Sequence, residues 1–390
     1  TDRAKAYLIL LNILVGGVYG VFATMDLFFL FFFYEVAVLP MYLLIAVWGS
    51  SSRFKTFARS KEYSAMKLVL YLVAGSIFIW IALIAIFAQA GIGSFNLIEL
   101  KESAPFPVTF QRFFFPFLLF GFGLLAGLWP LHTWSPDGHV AAPTSVSMLH
   151  AGVLMKLGAY GIIRVGIDLF PEGAQFWAPV MIGLGTVNVI YGAMSAMSQR
   201  DIKYVIGYSS VSHMGYVLLG IGTLTTLGMT GAVMQMFSHG IMTALFFAMA
   251  GAIYDRAHTR DMTVITGLAK TMPLGAVLFA IAGLASIGLP GLSGFVAELL
   301  VFLGLFQSYP VVGVLAIIGV AITAVYVLRL LSAVFFGSVP ERFSGLKDVS
   351  RLEIGVGAGL ALGLLVVGLA PFHLIDVVES GVRAIEVITP

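Results

Sequence analysis

Residues 65–90, AMKLVLYLVAGSIFIWIALIAIFAQA, form an apolar run in which Lys67 is the only charged residue. A helix needs about 20 mostly apolar residues to cross a bilayer, and this run is long enough. Further runs of the same kind lie at about 5–24, 27–48, 110–130, 141–166, 176–197, 203–223, 229–254, 274–305, 311–336 and 353–376. They are continuous rather than alternating, which favours helices over a β-barrel. The sequence therefore predicts an all-α, polytopic transmembrane helical bundle of about eleven spans.

The composition of the 390 residues agrees with a membrane protein, with 59% hydrophobic and 10% charged residues. Soluble domains carry about a quarter charged residues, so a soluble enzyme is excluded. The formal net charge of +2 is too small to indicate a nucleic-acid partner. Since the sequence has no cysteine, it cannot form disulfides or bind iron–sulfur clusters through thiolates.

Proline and glycine interrupt the apolar runs at two places. The first place has Trp129-Pro130 with Pro136 and Pro143, and the second is the sequence LPGLSG at 289–294. Broken helices at membrane depth are tolerated where protein or water satisfies the exposed backbone, and paired breaks are typical of transporters. We therefore expect two broken helices and a transport function.

The distribution of lysine and arginine predicts the orientation, because cytoplasmic loops hold the excess. One set of alternating helix ends has fifteen of these residues and the opposite set has four, while Arg329 and Lys156 fall within spans. The larger set is Arg3, Lys5, Arg53, Lys55, Arg59, Lys61, Lys67, Arg200, Lys203, Arg256, Arg260, Lys270, Arg342, Lys347 and Arg351, and the smaller is Lys101, Arg112, Arg164 and Arg383. We expect the N-terminus of this segment inside and its C-terminus outside. No linker divides the chain, so residues 1–390 are expected to form a single membrane domain.

Three ionisable residues lie far from any predicted helix end: Glu35, Lys156 and Glu298. A charge at the bilayer centre costs at least about 2.5–3.5 kcal/mol on insertion scales, so each needs a partner or water. The alternatives are a neutral, structural Glu35 and a Lys156 that extends to the membrane interface. Isolated groups of this kind on three helices favour a proton pathway.

Histidines add candidates for the pathway, because their ordinary pKa lies near neutral pH. His150, His213 and His239 all lie within apolar runs, although each is equally compatible with a packing role. Lys203 stands at the inner end of its span, where a lysine usually only sets orientation.

A metal site is not indicated by the sequence. No histidine pair has the i, i+4 spacing of a helical metal site, and His132 and His139 have only Asp137 nearby. No metal and no cofactor is therefore assigned to this chain.

Four segments resemble the antiporter-like family of respiratory complex I. They are FFFYEVAVLPMYLLIAVWG (31–49), PLHTWSPDGHVAAPTSVSMLHAGVLMKLGAYG (130–161), RDIKYVIGYSSVSHMGYVL (200–218) and LASIGLPGLSGFVAELLVF (284–302). The similarity extends over essentially all 390 residues. The family's length implies that roughly the first 110 residues and three spans of such a protein precede this segment.

The resemblance implies roles for individual residues. Glu35, Lys156 and Glu298 match the family's glutamate, central lysine and terminal glutamate, and Lys203, His213 and His239 match positions in or beside its hydrophilic axis. One position departs from the family pattern: Leu125 replaces a lysine that pairs with the glutamate at position 35. We hypothesise that His150 replaces that lysine, because some relatives have a histidine there.

The function implied is proton translocation by a membrane subunit of NADH-quinone oxidoreductase, driven by quinone reduction elsewhere in the complex. The resemblance implies that FMN, iron–sulfur clusters and quinone belong to partner subunits of the membrane and peripheral arms. The expected location is the bacterial inner membrane, in contact with lipid. Three alternatives stay open: a multisubunit Na+/H+ antiporter, an energy-converting hydrogenase, and a scaffold subunit with an inactive channel.

Overall fold

The computed structural model describes residues 3–53, 58–103 and 106–385, and within these the chain is almost entirely helical. Lys55, one of the predicted orientation charges, lies outside the described residues. The helices are α1 Ala4–Ala23, α2 Leu27–Trp48, α3 Lys61–Ala90, α4 Leu97–Ser103, α5 Val108–Ala126, α6 Trp134–Ala141, α7 Thr144–Leu149, α8 Met155–Gly161, α9 Pro171–Ser198, α10 Ile202–Gly222, α11 Thr226–Ala257, α12 Pro273–Ser286, α13 Ser293–Ser308, α14 Pro310–Phe335, α15 Arg351–Leu369 and α16 Phe372–Val382. A short antiparallel hairpin, β1 Ser52–Arg53 and β2 Ala58–Arg59, follows α2.

In the described part of the chain, nine helical segments are long and apolar enough to cross a membrane. One of them, Thr144–Ile167, consists of α7, a π-helical segment at His150–Leu154, α8 and a second π-helical segment at Ile162–Ile167. The predicted all-α, polytopic membrane bundle is confirmed.

Two of the predicted runs differ from a simple apolar helix. The run at 274–305 is built from α12 and α13, which meet at the predicted break. The run at 203–223 is α10, which is buried among other helices over nearly its whole length. Because α10 contacts protein rather than lipid, it can include polar residues such as Ser209, Ser212 and His213.

Side chains from neighbouring helices satisfy the first break. Gly127 ends α5 with a φ of 73°, and the chain turns before α6 begins. Asn188 of α9 accepts a hydrogen bond from the Trp129 backbone N–H at 2.6 Å and donates to the carbonyls of Gly127 and Val211. A break at membrane depth requires such partners, since water is scarce there.

The second break places a carboxylate against the backbone. Gly288 has a φ of 74°, and a Cβ atom added there would lie 2.7 Å from Oε2 of Glu298. Glycine at this position therefore meets two requirements at once: a left-handed backbone conformation and space for the Glu298 side chain.

Candidate functional site

Lys156 and His239 are in direct contact inside the bundle. Nζ of Lys156 lies 2.7 Å from Nδ1 of His239 and donates a hydrogen bond to the Ala151 carbonyl within the first π-helical segment. Both side chains are buried. The lysine predicted to lie deep in a span therefore has a titratable partner on another helix.

Two glycines bring these helices close enough for that contact. A Cβ atom on Gly240 of α11 would lie 2.6 Å from the carbonyl oxygen of Gly152, and one on Gly152 would lie 3.2 Å from the carbonyl oxygen of Gly240. Small residues at a helix crossing allow close backbone approach in membranes. The crossing lies next to both Lys156 and His239 in the sequence, so it sets the distance between their side chains.

His213 continues the line of polar groups from α11 to α10. Its ring centroid is 5.3 Å from that of His239. Nε2 of His213 lies 2.9 Å from the Ser286 hydroxyl, and Nδ1 lies 3.1 Å from the Gln235 side-chain nitrogen. Both nitrogens of this buried imidazole are thus paired with protein groups.

Glu298 ends the line on α13. Its Oε1 atom lies 3.6 Å from Nδ1 of His213, which is beyond direct hydrogen-bond distance, and the Gln235 side chain hydrogen-bonds to the carboxylate. The structure therefore brings together Lys156, His239, His213 and Glu298, from α8, α11, α10 and α13 respectively.

Lys203 is buried and points toward the first break. Nζ donates to the Ala142 carbonyl at 2.9 Å and lies 3.4 Å from the Ser147 hydroxyl. Ala142 precedes Pro143 at the junction of α6 and α7. A lysine that only set orientation would extend into water, whereas this one lies in the protein interior.

The ring nitrogens of His150 have no hydrogen-bond partner in the described residues, and neither have those of the neighbouring His139 of α6. The two ring centroids are 4.0 Å apart, and the His150 ring also stacks on Trp134, with the centroids 5.3 Å apart. Leaving a buried polar group without a hydrogen bond costs about 1–3 kcal/mol, so we expect a bound ligand to hydrogen-bond to these nitrogens.

Glu35 stands apart from the other predicted residues. Its carboxylate accepts a hydrogen bond from the Ser76 hydroxyl of α3, and its side chain is only partly buried. Within the described ranges, the hydrogen bonds and ring contacts of His150 do not include Glu35. Leu125 is fully buried in α5. The geometry thus gives no direct support to the hypothesis that His150 pairs with Glu35.

Two residues of α6 are more deeply placed than the sequence indicates. The sequence suggests His139 only as a weak metal ligand and Asp137 only as its neighbour, yet both are buried in α6. The Asp137 carboxylate accepts hydrogen bonds from Lys67 and from the Tyr204 hydroxyl, each at 2.8 Å. The signal available was the first break itself, since a helix held between two prolines at membrane depth places its polar residues inside the bundle.

Comparison with known proteins identifies the family. The sequence profile described as "NADH:quinone oxidoreductase/Mrp antiporter, TM" matches residues 24–323. The chain belongs to this family. The resemblance found in the sequence is therefore confirmed. A relative from Gloeobacter violaceus, NAD(P)H-quinone oxidoreductase chain 4, is 39% identical over 381 residues, which cover 95% of this chain and 71% of the relative.

Two solved structures have the same fold. A chain of respiratory complex I from Thermus thermophilus with bound NADH aligns with a TM-score of 0.89 at 29% identity, covering 98% of this chain and 81% of that one. A chain of the Mrp complex from Dietzia sp. aligns with a TM-score of 0.85 at 21% identity, covering 96% and 77%. At that identity the second likeness concerns the fold alone.

Proposed function

We propose that this chain is a proton-translocating membrane subunit of an NADH-quinone oxidoreductase. The observation that carries the proposal is the line of buried, titratable side chains formed by Lys156, His239, His213 and Glu298 in a member of this family. Buried ionisable groups in a membrane are costly, and they mark ion and proton pathways. The relatives that match along most of their length support the assignment to the quinone oxidoreductase branch.

In the proposed route, protons enter at the inner end beside Lys203 and reach Lys156 past His150. They continue through His239 and His213 to Glu298, from which they leave to the outer side. Imidazoles suit this role because one ring nitrogen can accept a proton while the other releases one. Glu35, which accepts a hydrogen bond from Ser76, exchanges protons apart from this line.

The driving force comes from partner subunits. Quinone reduction elsewhere in the assembly changes the electrostatic environment of the route, and this chain responds by exchanging protons. FMN, iron–sulfur clusters and quinone are assigned to those partners of the membrane and peripheral arms. No redox step is assigned to this chain, whose described residues act together as a single membrane domain.

The chain is an integral membrane protein, and we infer the bacterial inner membrane with the N-terminus of this segment in the cytoplasm. The contacts support this orientation. Arg260 hydrogen-bonds to Ser52 and forms an ion pair with Asp201, so three loops of the arginine- and lysine-rich set meet on one face. Lys101 binds Asp168 and the Ala384 carbonyl on the opposite face.

The test uses the intact, reconstituted complex with a Lys156→Ala substitution. Proton uptake into proteoliposomes during NADH oxidation is compared with wild type and with Lys5→Ala, which changes an exposed lysine at the start of α1. We expect loss of pumping only in Lys156→Ala. Equal pumping in all three complexes would overturn the proposal and favour a scaffold subunit with an inactive channel.

A Na+/H+ antiporter subunit is the second candidate, because the Mrp complex from Dietzia sp. shares the fold. The same vesicles distinguish it. Proton movement that requires sodium on one side and proceeds without NADH would indicate exchange, whereas sodium-independent pumping that requires NADH supports the quinone oxidoreductase. Identification of the co-purifying subunits also tests the remaining alternative, an energy-converting hydrogenase.

A further inference from the structure

A pair of histidines in ring contact adjoins the proposed route. The rings of His139 and His150 are 4.0 Å apart, and both side chains are fully buried. None of their four nitrogens has a hydrogen-bond partner in the described part of the protein. His213 provides a contrast, since Ser286 and Gln235 occupy both of its nitrogens.

The histidine pair is connected to both lysines. The Ser147 hydroxyl, which lies 3.4 Å from Nζ of Lys203, donates to the His139 carbonyl at 2.8 Å. On the other side of the pair in the sequence, His150 begins the π-helical segment whose Ala151 carbonyl accepts a hydrogen bond from Nζ of Lys156. His139 is therefore linked to Lys203 through Ser147, and its ring contact with His150 leads toward Lys156.

Aromatic residues surround the two rings. His150 stacks on Trp134, whose indole N–H donates to the Leu124 carbonyl at 3.0 Å, and the rings of His139 and His150 are tilted by 40° to each other. Phe247 packs near the His139 ring, with its centroid at 5.4 Å. Because none of these neighbours pairs with a ring nitrogen, a small hydrogen-bonding ligand is needed to satisfy the four nitrogens.

Water is the ligand that fits this environment. Buried polar atoms in proteins are almost always hydrogen-bonded, and internal water molecules satisfy those that protein groups do not reach. We propose that His139 is a proton-relay residue between Lys203 and Lys156, paired with His150 and joined to both lysines by bound water. This inference rests on the proposed function and adds to it a residue and a hydrated segment.

The proton transfer balances at each step. The Lys203 ammonium gives a proton to a bound water, which passes one on to a nitrogen of His139. The second nitrogen of that ring then releases its own proton through water to His150, which transfers one in the same way toward Lys156. Each imidazole ends neutral with its proton on the other nitrogen, and it resets when the ring flips or when bound water carries that remaining proton from one ring nitrogen to the other.

The first experiment measures proton pumping by the reconstituted complex with His139→Phe, which keeps an aromatic ring but removes both nitrogens. His373→Phe is the matched control, because His373 is an exposed residue of α16. Assembly is checked by subunit content and by NADH oxidation with hexacyanoferrate. We expect pumping to fall at least about tenfold in His139→Phe, since loss of an acid–base group typically costs more than that, and to be unchanged in His373→Phe.

Lys156→Ala separates failure of this inference from failure of the proposed function. Pumping that persists in His139→Phe but is lost in Lys156→Ala overturns the relay role of His139 alone. Pumping that persists in Lys156→Ala overturns the proposed function itself.

The second experiment needs no variant, so it tests for bound water at the histidine pair even if the His139→Phe complex does not assemble. Hydroxyl radicals generated from water by X-rays are used to oxidise the intact wild-type complex, and each histidine is followed by mass spectrometry. If water is bound at the pair, His139 and His150 are oxidised several times faster than His213, which is equally buried. Equal rates for the three residues would overturn the hydrated segment.

Discussion

Nζ of Lys156 lies 2.7 Å from Nδ1 of His239, so these two titratable groups share one hydrogen bond in the centre of the bundle. When Lys156 is an ammonium, it donates and Nδ1 of His239 must accept, which leaves the imidazole proton on Nε2. In the proposed route, a proton that leaves Lys156 through this contact would move directly onto His239. The contact therefore couples the two protonation states rather than only packing two helices together.

His239→Leu should reduce proton pumping at least about tenfold, because it removes the acid–base partner of Lys156. Since both residues act in one series of transfers, the double variant with Lys156→Ala should be no worse than the more severe single variant. Initial rates of proton uptake in proteoliposomes check this. Single-variant losses that multiply in the double variant would show that the two residues act independently.

Gly240→Ala should impair pumping through the helix crossing. The added methyl group would lie 2.6 Å from the Gly152 carbonyl oxygen, so α11 must move away and the contact between Lys156 and His239 lengthens. We expect a several-fold loss of pumping in a complex that still assembles. Gly183→Ala in α9 is the control, because nothing lies within 4 Å of the added Cβ atom. The same pumping rate in both variants would contradict this explanation.

His150→Leu should impair pumping about as severely as Glu35→Gln if His150 replaces the lysine absent at Leu125. Ser76→Ala provides a milder change, since it removes the hydrogen bond to Glu35 but keeps the carboxylate. Pumping rates of the three complexes are compared at equal subunit content. Full pumping in His150→Leu would contradict the hypothesis that His150 replaces the lysine absent at position 125.

Arg260→Met should lower the thermal stability of the protein and not only its rate of proton pumping. Arg260 and Asp201 form a buried ion pair at 3.1 Å, and removing one partner of such a pair typically costs about 3–5 kcal/mol. Asp201→Asn in the same chain should recover most of the loss, because asparagine removes the unpaired charge and can still cap α10. Thermal unfolding of the purified complex measures both effects. A double variant as unstable as Arg260→Met would argue against the ion pair as the cause.

The chemistry of single residues was accessible from the sequence, but their contacts were not. The sequence predicts Glu35, Lys156 and Glu298 as candidates because a charge in an apolar run is costly wherever the helix lies. The contacts depend on how helices that are far apart in the sequence cross. These crossings bring Lys156 to His239 and Glu35 to Ser76. The sequence does not indicate that His139 is buried, because a Pro/Gly-rich stretch normally predicts a surface loop. In the structure, α6 is buried inside the bundle.

The sequence by itself determined that this chain is a helical membrane protein with two broken helices and a few buried ionisable groups. The reason is that lipid offers no hydrogen bonds, so continuous apolar runs must be helical and any interruption must be compensated by protein or water. Only the tertiary structure decided which of those groups form a connected line. Their distances depend on close helix crossings such as that of Gly152 and Gly240, and on the backbone turns at Gly127 and Gly288, which join residues that no local pattern brings together.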